Sequence, residues 1–536
     1  MKSSTPWWKH GVIYQIYPRS FYDSNNDGVG DIKGITLKLE YLLWLGVDAI
    51  WLSPVNNSPM YDFGYDISDY YDIDPCYGTL NDFMELIEEA HKAGIKIIMD
   101  LVVNHTSHLH KWFAGSRSSK DNRRRDWYIW HEGVKGKAPN NWKSAFGGSA
   151  WEFDPHMGEY YLHSFLKEQP DLNWRNPDMR RSIHRMMRFW LDMGVDGFRL
   201  DVVNWFVKDD RFRNNPFTVK PFDPEKHKYD RNRPEVHEYI RELRNVVDEY
   251  DGRMTVGEVF TLPPGSPGLA ASFLGNGNDE LHLTFDFSIM YRLWSARRFY
   301  NCIKKWYKSL PENGWPCNVL SNHDQPRGRS RFMGGADSEN RARVAAVFLL
   351  TLRGTPFLYY GEELGMKNAL LSRSEIVDPL GRRYWPVYRG RDCSRTPMLW
   401  NSRNNAGFSN GRPWLPVDSD YKNINVRNQA GDRYSILNLY RNIIHIRKRH
   451  KALSEGKFVP VIKGANNVLA YFRIYGDEKF FIVLNFSSKE KKIHAGESGQ
   501  WKVMFSTHRT EYEHFTSLNM VLAPYEASII MKIGEL

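Results

Sequence analysis

Apolar and polar positions alternate in two rhythms along this chain. Short, nearly continuous apolar runs recur through the first two thirds: GVIYQIYPRSF, DAIWLSP, IKIIMDLVVNH, GFRLDVV, MTVGEVF, LHLTFDF, CNVLSNHD and TPFLYYGEE. Runs of this length and composition read as strands. Several of the segments between them carry apolar residues at helical spacing. NDFMELIEEAHKAG is the clearest, with Gly94 standing at its end, and RSIHRMMRFWLDMG and PEVHEYIRELRNVVDEYDG repeat the design. Eight strands alternating with helices predict an α/β fold, a closed parallel TIM (β/α)₈ barrel.

Two connections are too long for ordinary loops. One, about 106–174, follows the third strand and is rich in Trp, Gly and charge; the other, about 364–433, follows the eighth and is rich in Arg, Asn and Pro. Long loops on the C-terminal face of a barrel are usually functional. After YSILNLYRNIIHIRKRH the rhythm changes, and VLAYFRIY, KFFIVLNFS, WKVMFS and EASIIMKI are β-like. The expected organisation is a barrel over 1–105 and 175–455, an inserted loop-rich domain over 106–174, and a C-terminal all-β sandwich over 456–536. No internal repeat or low-complexity segment interrupts it.

Composition narrows the class. The 536 residues, 41% hydrophobic, suffice for a barrel plus additions. The net charge of +10 would suit an anionic partner, but the basic residues are scattered and the densest run is only Arg123, Arg124, Arg125. No nucleic-acid motif accompanies it. Cys76, Cys302, Cys317 and Cys393 lack zinc-type spacing, and such sparse use predicts a reducing compartment. The N-terminus lacks a signal-peptide layout and no apolar run is long enough to span a membrane, so a cytoplasmic protein is expected.

Three acids stand just past strand-like runs: Asp201 in GFRLDVVNW, Glu258 in TVGEVF and Asp324 in NVLSNHDQP. That places each carboxylate at the C-terminal end of a strand, where barrel enzymes gather their chemistry. Two carboxyls are enough to cleave a glycosidic bond as acid and nucleophile, and a third can steady the positive charge that develops. Arg199 lies two residues before Asp201 and therefore on the same strand face. Its charge is expected to keep Asp201 ionised.

DLVVNH, GFRLDVVNW, VGEVF and SNHDQ, in this order and spacing, resemble family 13 of the glycoside hydrolases, the α-amylase family. GVIYQIYPRSFYDSNNDGVGDIKGI and FGGSAWEFD are similar to its oligo-1,6-glucosidase and α-glucosidase branch. The resemblance implies that Asp201 is the nucleophile, Glu258 the general acid/base and Asp324 the transition-state stabiliser. Glu258 must then keep its proton near neutral pH, which needs a raised pKa. It also implies that His105 and His323 hold hydroxyls of the glucose in the −1 subsite. Tyr65, in YDFGYDISDY, would stack on that ring, while Asp62 and Arg391, in GRDCSRTPMLW, would bind its far hydroxyl and close the pocket to all but chain ends. The family's MQW is here Met398, Leu399, Trp400, a departure outside the acids. Val202, after the nucleophile, accompanies α-1,6 cleavage in this branch, and QPDLNW at 169–174 resembles the oligo-1,6-glucosidase version.

Asp23, Asn25, Asp27 and Asp31 place hard oxygens at alternating positions near the first strand, with the Val29 carbonyl as a further donor. The pattern suits Ca²⁺, and the family branch often carries a structural Ca²⁺ here. It begins like an EF-hand loop, but Gly34 stands where the bidentate Glu would be. The expected role is stability rather than chemistry; no organic cofactor is expected. The expected activity is that of an exo-acting retaining α-glucosidase on short α-1,6-linked oligosaccharides such as isomaltose. Alternatives are an α-1,4-glucosidase, a trehalose-6-phosphate hydrolase, and a transglycosylase or sucrose isomerase. Isomaltulose-forming relatives carry RLDRD soon after the third acid, where this chain reads QPRGRSRFMGG. A non-catalytic transporter partner is disfavoured by the retained acids and the lack of an anchor. Monomer and homodimer both stay open.

Overall fold

Eight parallel strands, β1 (Ile13–Ile16), β2 (Ala49–Leu52), β3 (Lys96–Leu101), β4 (Gly197–Leu200), β5 (Met254–Gly257), β6 (Leu283–Thr284), β7 (Cys317–Val319) and β8 (Thr355–Tyr359), pair in the order β6-β5-β4-β3-β2-β1-β8-β7. A parallel bridge from Phe285, just past β6, to Cys317 in β7 joins the two ends and closes the barrel. The structure is a computed structural model and describes residues 5–219, 224–261, 265–509 and 512–534. Each of the eight apolar runs read from the sequence contains one barrel strand.

Alternation along these strands sorts side chains into two layers. Ile13, Ala49, Trp51, Ile98, Met254, Val256 and Phe357 fill the barrel interior. Their neighbours Tyr14, Ile50, Ile97, Met99, Phe198 and Leu200 face outward into the layer shared with the helices. Gly197 opens β4 because a Cβ there would meet the Met254 carbonyl oxygen at 2.4 Å. Among the surrounding helices, Leu80–Lys92 starts on a capping box between Thr79 and Asp82 and buries Phe83, Leu86, Ile87 and Ala90, one apolar stripe. Gly94, at φ +74°, takes the left-handed turn that ends it.

Between β3 and the helix Pro177–Asp192 the chain builds a three-stranded antiparallel sheet from Trp130–His131, Glu159–Leu162 and Trp151–Asp154, with its own apolar cluster of Trp142, Ala150, Trp151 and Leu162. After the helix Ile436–Arg449 comes an antiparallel all-β domain: β9 (Lys457–Lys463), β10 (Val468–Tyr475), β11 (Glu478–Asn485), β12 (Lys491–Ser506), β13 (His514–Leu522) and β14 (Ala527–Gly534), ordered β9-β10-β11-β14-β12-β13. One face, with Leu469, Tyr471, Phe480 and Ile482, packs on the barrel helices. The other, with Val468, Ala470, Phe481 and Val483, closes a separate core with Trp501 and Leu518. Burying both faces makes β10 and β11 nearly continuous apolar runs, legible as such. Strands β9 and β13 lie at the sheet's two edges, and their mixed composition hid them from the sequence reading. No helix among the described residues is long and apolar enough to cross a membrane.

Candidate active site

The strand ends hold the acids through backbone hydrogen bonds that continue the sheet. The Asp201 N–H donates to the Leu101 carbonyl (3.2 Å), the Glu258 N–H to the Leu200 carbonyl (2.9 Å), and the Val203 N–H to the Glu258 carbonyl (3.0 Å). Asp201 and Glu258 are thereby locked side by side at the mouth of β4 and β5. Val202 pays for this turn in backbone conformation: its φ of +39° is left-handed, which a β-branched residue rarely adopts.

Above the apolar interior sits a charged layer. Arg199 Nη1 donates to Asp201 Oδ1 (2.8 Å) and to Asp100 Oδ1 (2.7 Å), and Nη2 pairs with Glu258 Oε2. Asp100 is the register partner of Arg199 in the β3–β4 pair. One guanidinium thus serves three buried carboxylates, and its charge is divided among them rather than reserved for Asp201. Burial, opposed only partly by Arg199, pushes Asp201 up to about 7 and Glu258 up to about 8. The expected raised Glu258 is present; Asp201 is held less firmly ionised than Arg199 alone would make it, because Asp100 repels its charge. Asp324 behaves oppositely. Burial opposes its charge, but the guanidinium groups of Arg391 and Arg395 hold it well below the usual carboxylate range. Arg395 Nη2 donates to its Oδ1 at 2.9 Å.

Around the acids lies a cavity of about 160 Å³, whose lining includes Asp62, Tyr65, His105, Asp201, Val202, Glu258, Asp324 and Arg391. Tyr65 stacks on His323 (5.4 Å, 3°) and donates to Asp100 Oδ2 (3.1 Å). His323 Nδ1 lies 2.8 Å from Gln15 Nε2, a donor, so the ring proton belongs on Nε2, 2.7 Å from the Tyr65 hydroxyl. His105 Nε2 faces the Tyr65 carbonyl at 2.9 Å. Burial lowers His105 to about 4 and His323 to about 3, so both rings are neutral near pH 7. Arg391 Nη2 bonds Asp62 Oδ1 and Asp378 Oδ1, each at 2.7 Å, and forms the far wall.

The ten acid, histidine and substrate-side residues singled out in the sequence therefore converge on one cavity or the charged layer directly under it. Several others escaped the sequence reading. Asp100 lies inside the DLVVNH stretch, and its register with Arg199 was the signal available. Asp378 and Arg395 come from the long connection after β8. Phe146 and Phe165 come from the insertion, and Phe260 and Tyr388 from loops; all four line the cavity. Gln169 of QPDLNW reaches Asp62 Oδ2 (3.3 Å). Leu399, in place of the family's Gln, is buried in the barrel–helix core, where an amide would need a partner.

In the polar loop after β1, Asp23 accepts from the Asn25, Asn26 and Gly28 N–H groups, Asp27 from Val29 N–H, and Asp31 from Ser24 and Gly34 N–H groups. Asn25 Oδ1 accepts from Asp27 N–H. Asp23 and Asp31 are buried and have no ion pair among the described residues. In this conformation the carboxylates turn to their own backbone, and among the described residues no three His, Cys, Asp or Glu side chains are arranged to hold a metal ion.

Residues 15–456 match the alpha amylase catalytic domain and residues 460–529 the maltogenic amylase C-terminal domain. The chain is 46% identical over 517 residues to an oligo-1,6-glucosidase of Parageobacillus thermoglucosidasius, covering 90% of this chain and 91% of that one. It is 38% identical over 565 residues to a trehalose-6-phosphate hydrolase of Bacillus subtilis (strain 168), covering 99% of each. The isomaltulose synthase of Protaminobacter rubrum has a similar structure, with a TM-score of 0.92 at 36% identity over 99% of this chain and 100% of that one. With its carboxylates converging at the strand ends of a closed barrel, and with relatives matched over nearly its full length, this chain belongs to the α-amylase family, family 13 of the glycoside hydrolases.

Proposed function

We propose that this enzyme is an exo-acting, retaining α-glucosidase that releases glucose from the non-reducing ends of short α-1,6-linked oligosaccharides. The observation that carries the reading is the Asp62–Arg391–Asp378 cluster walling off the cavity beside the acids. A wall of that kind leaves room for a terminal sugar and none for a chain that continues past it.

The chemistry follows from the order in which the carboxyls give up protons. Glu258, the highest, stays protonated and donates to the glycosidic oxygen. Asp201 attacks the anomeric carbon from the other side of the ring and forms a covalent glucosyl ester. The sharing of one guanidinium, by Asp201 on Nη1 and Glu258 on Nη2, suits the closely spaced carboxyl pair of a retaining site, about 5–5.5 Å, rather than the roughly 6.5–9.5 Å that an inverting site needs for its intervening water. Glu258, now ionised, then takes the proton of the water that releases the sugar. Asp324, held ionised by Arg391 and Arg395, offers fixed negative charge to the oxocarbenium-like transition state. Neutral His105 and His323, with Tyr65, serve as positioners of ring hydroxyls.

The linkage rests on Val202, whose methyls line the cavity where a maltose-preferring site would gain from a hydroxyl. We expect wild type to prefer isomaltose over maltose. Val202→Thr, equally β-branched, should shift the kcat/KM ratio toward maltose by about 10–200-fold, the range for a single subsite contact. NMR of fresh hydrolysates should show α-glucose first. A wild type that prefers maltose hands the function to the α-1,4-glucosidase reading, and initial β-glucose removes Asp201 as nucleophile.

Calcium at the loop after β1 is also proposed. The donor chemistry is all hard oxygen (Asp23, Asn25, Asp27, the Val29 carbonyl and Asp31), and two buried carboxylates without a cationic partner are costly unless a cation joins them. A ligand bound only to the folded state stabilises it by mass action. We expect EDTA to lower Tm in wild type and to leave Asp27→Ala unchanged; identical wild-type melting with and without chelator would reduce the loop to a polar turn. The four cysteines are all free thiols, which supports a reducing, cytoplasmic setting.

A further inference from the structure

The barrel and the C-terminal domain meet along a seam that holds a cavity of about 720 Å³, which shares no lining residue with the catalytic one. Asn340 and Arg343 reach it from the helix Ser338–Thr351, and Leu439 and Asn442 from the helix Ile436–Arg449. His508 and Arg509, just past β12, and Tyr525, just before β14, line it from the other side. The Tyr525 hydroxyl donates to Asp337 Oδ2 at 3.1 Å and ties the two domains together across the seam. A volume of this size suits a small molecule, since ligand sites run from about 300 to 1,000 Å³.

Charge decides the class of molecule. No Asp or Glu is among the described lining residues, whereas Arg343, Arg433, Arg509 and His508 are. Two of the arginines are already held. Arg343 pairs with Glu339 (2.9 Å) and donates to the Tyr434 carbonyl (2.7 Å). Arg509 pairs with Glu526 (2.6 Å) and Glu513 (3.6 Å). Arg433 is different. Its guanidinium lies 4.9 Å from the Tyr434 ring and has no ion pair or hydrogen bond among the described residues. It also stands at the positive end of the helix Ile436–Arg449, whose first turn carries no acid. His508 engages Thr507 Oγ1 through Nδ1 (2.8 Å), which leaves Nε2 without a partner among the described residues. Burial lowers the His508 pKa; of the nearby charges, Glu526 opposes the shift while Arg343 and Arg509 add to it. One carboxylate thus faces two guanidinium groups at this ring, and Arg433 adds a third to the same cavity.

The remaining lining groups suit a sugar. Tyr434 and Tyr512 are 72% and 59% exposed, and among the described residues neither hydroxyl has a hydrogen-bond partner. The side-chain amides of Asn340 and Asn442 have none either. Lys502, 4.3 Å from the Tyr512 ring, adds further positive charge. Aromatic rings and free amides match a polyhydroxylated ring, and an unspent guanidinium matches a phosphate.

We propose that the seam cavity is a second binding site, one that takes a phosphorylated sugar. Arg433 and His508 meet the phosphate, while Tyr434, Tyr512 and the two amides meet the ring. A ligand held there touches both domains and stabilises the folded chain by mass action. Its binding is independent of the linkage cleaved at the acids.

Calorimetric titration with glucose 6-phosphate, inorganic phosphate and glucose, with Tm measured alongside, tests the site. Wild type should bind glucose 6-phosphate at least about tenfold more tightly than either simpler probe, because each of those lacks one set of contacts. Its Tm should rise with the concentration of glucose 6-phosphate. Arg433 and Tyr434 are exposed, so substitutions there leave the fold intact. Arg433→Gln should weaken glucose 6-phosphate by about 10–100-fold, the worth of a hydrogen bond to a charged group. Tyr434→Ala should weaken it too, without changing the affinity for inorganic phosphate. Glucose 6-phosphate lodged in the catalytic cavity would survive both changes, so equal affinity in wild type and Arg433→Gln overturns the site. Neither heat nor a Tm rise at millimolar glucose 6-phosphate overturns it as well. Inorganic phosphate bound as tightly as glucose 6-phosphate overturns the sugar contacts, and glucose bound as tightly overturns the anion.

Discussion

Replacing Asp201 by Asn, or Glu258 by Gln, lowers kcat by about three to five orders of magnitude, since each tenfold corresponds to ~1.4 kcal/mol of barrier and each change removes a bond-making group. The protein stays folded, for a reason visible in the electrostatics. Glu258 titrates near pH 8 in the folded state, against about 4.3 when unfolded. Between those values the folded protein binds more protons than the unfolded chain, so wild-type stability falls as pH rises through the window. A neutral Gln carries no such penalty, and Glu258→Gln should melt no lower than wild type at the upper end of that range. Activity has its own pH limbs. It is lost on the alkaline side as Glu258 gives up its proton, and on the acid side as Asp201, raised to about 7, gains one. These limbs report the coupled cluster rather than isolated groups. With α-glucosyl fluoride, which needs no protonation to leave, the alkaline limb should shrink in wild type, and Glu258→Gln should recover much of its first half-reaction. Turnover of isomaltose within tenfold of wild type by either variant would remove these residues from the chemistry.

The parts of the site that were legible are those the backbone period dictates. A strand ending in an acid aims it at the C-terminal face, and two-residue spacing puts Arg199 beside Asp201; both need only local sequence. Asp100 became visible only through the β3–β4 register, which pairs it with Arg199. Asp378, Arg395, Phe146, Phe165 and Tyr388 lie on connections whose paths are fixed by contacts distant in sequence. Tyr384, for example, on the long connection after β8, donates to the carbonyl of Phe146 in the insertion (3.3 Å). No local period encodes such a crossing. The same holds for the charge on Asp201. Its direct partner could be read, but the three-way division of Arg199 depended on strand neighbours. The edge strand His514–Leu522 was missed because most of its exposed positions, His514, Thr516 and Asn519, carry polar residues, as a strand with one face toward solvent requires.

Arg391→Lys should lower kcat/KM on isomaltose by about 100–1,000-fold, the cost of misplacing a bound ring against its acids. Arg391 is one planar fork serving three loops. Its Nη2 reaches Asp62 and Asp378 at 2.7 Å, its Nη1 reaches Asp324 Oδ1 at 3.4 Å, and its backbone N–H donates to Asp378 Oδ2 at 2.8 Å. Asp62 follows β2, Asp324 follows β7 and Asp378 follows β8, so this guanidinium ties the far wall to the acid that stabilises the transition state. A lysine ammonium keeps the charge but cannot span three carboxylates. Breaking a buried pair costs about 3–5 kcal/mol because the abandoned carboxylates stay buried. Tm should therefore fall as well, and further in Arg391→Ala. Asp62→Asn separates the two effects, since it keeps the side-chain shape and leaves Arg391 paired with Asp378. It should lose much of kcat/KM with a smaller change in Tm. End-labelled isomalto-oligosaccharides give the decisive readout. Wild type should release only glucose from the unlabelled end, whereas Arg391→Ala, its wall opened, should also release longer fragments. Wild-type kcat/KM in Arg391→Lys, or glucose alone from Arg391→Ala, would mean that something other than this ion cluster confines the enzyme to chain ends.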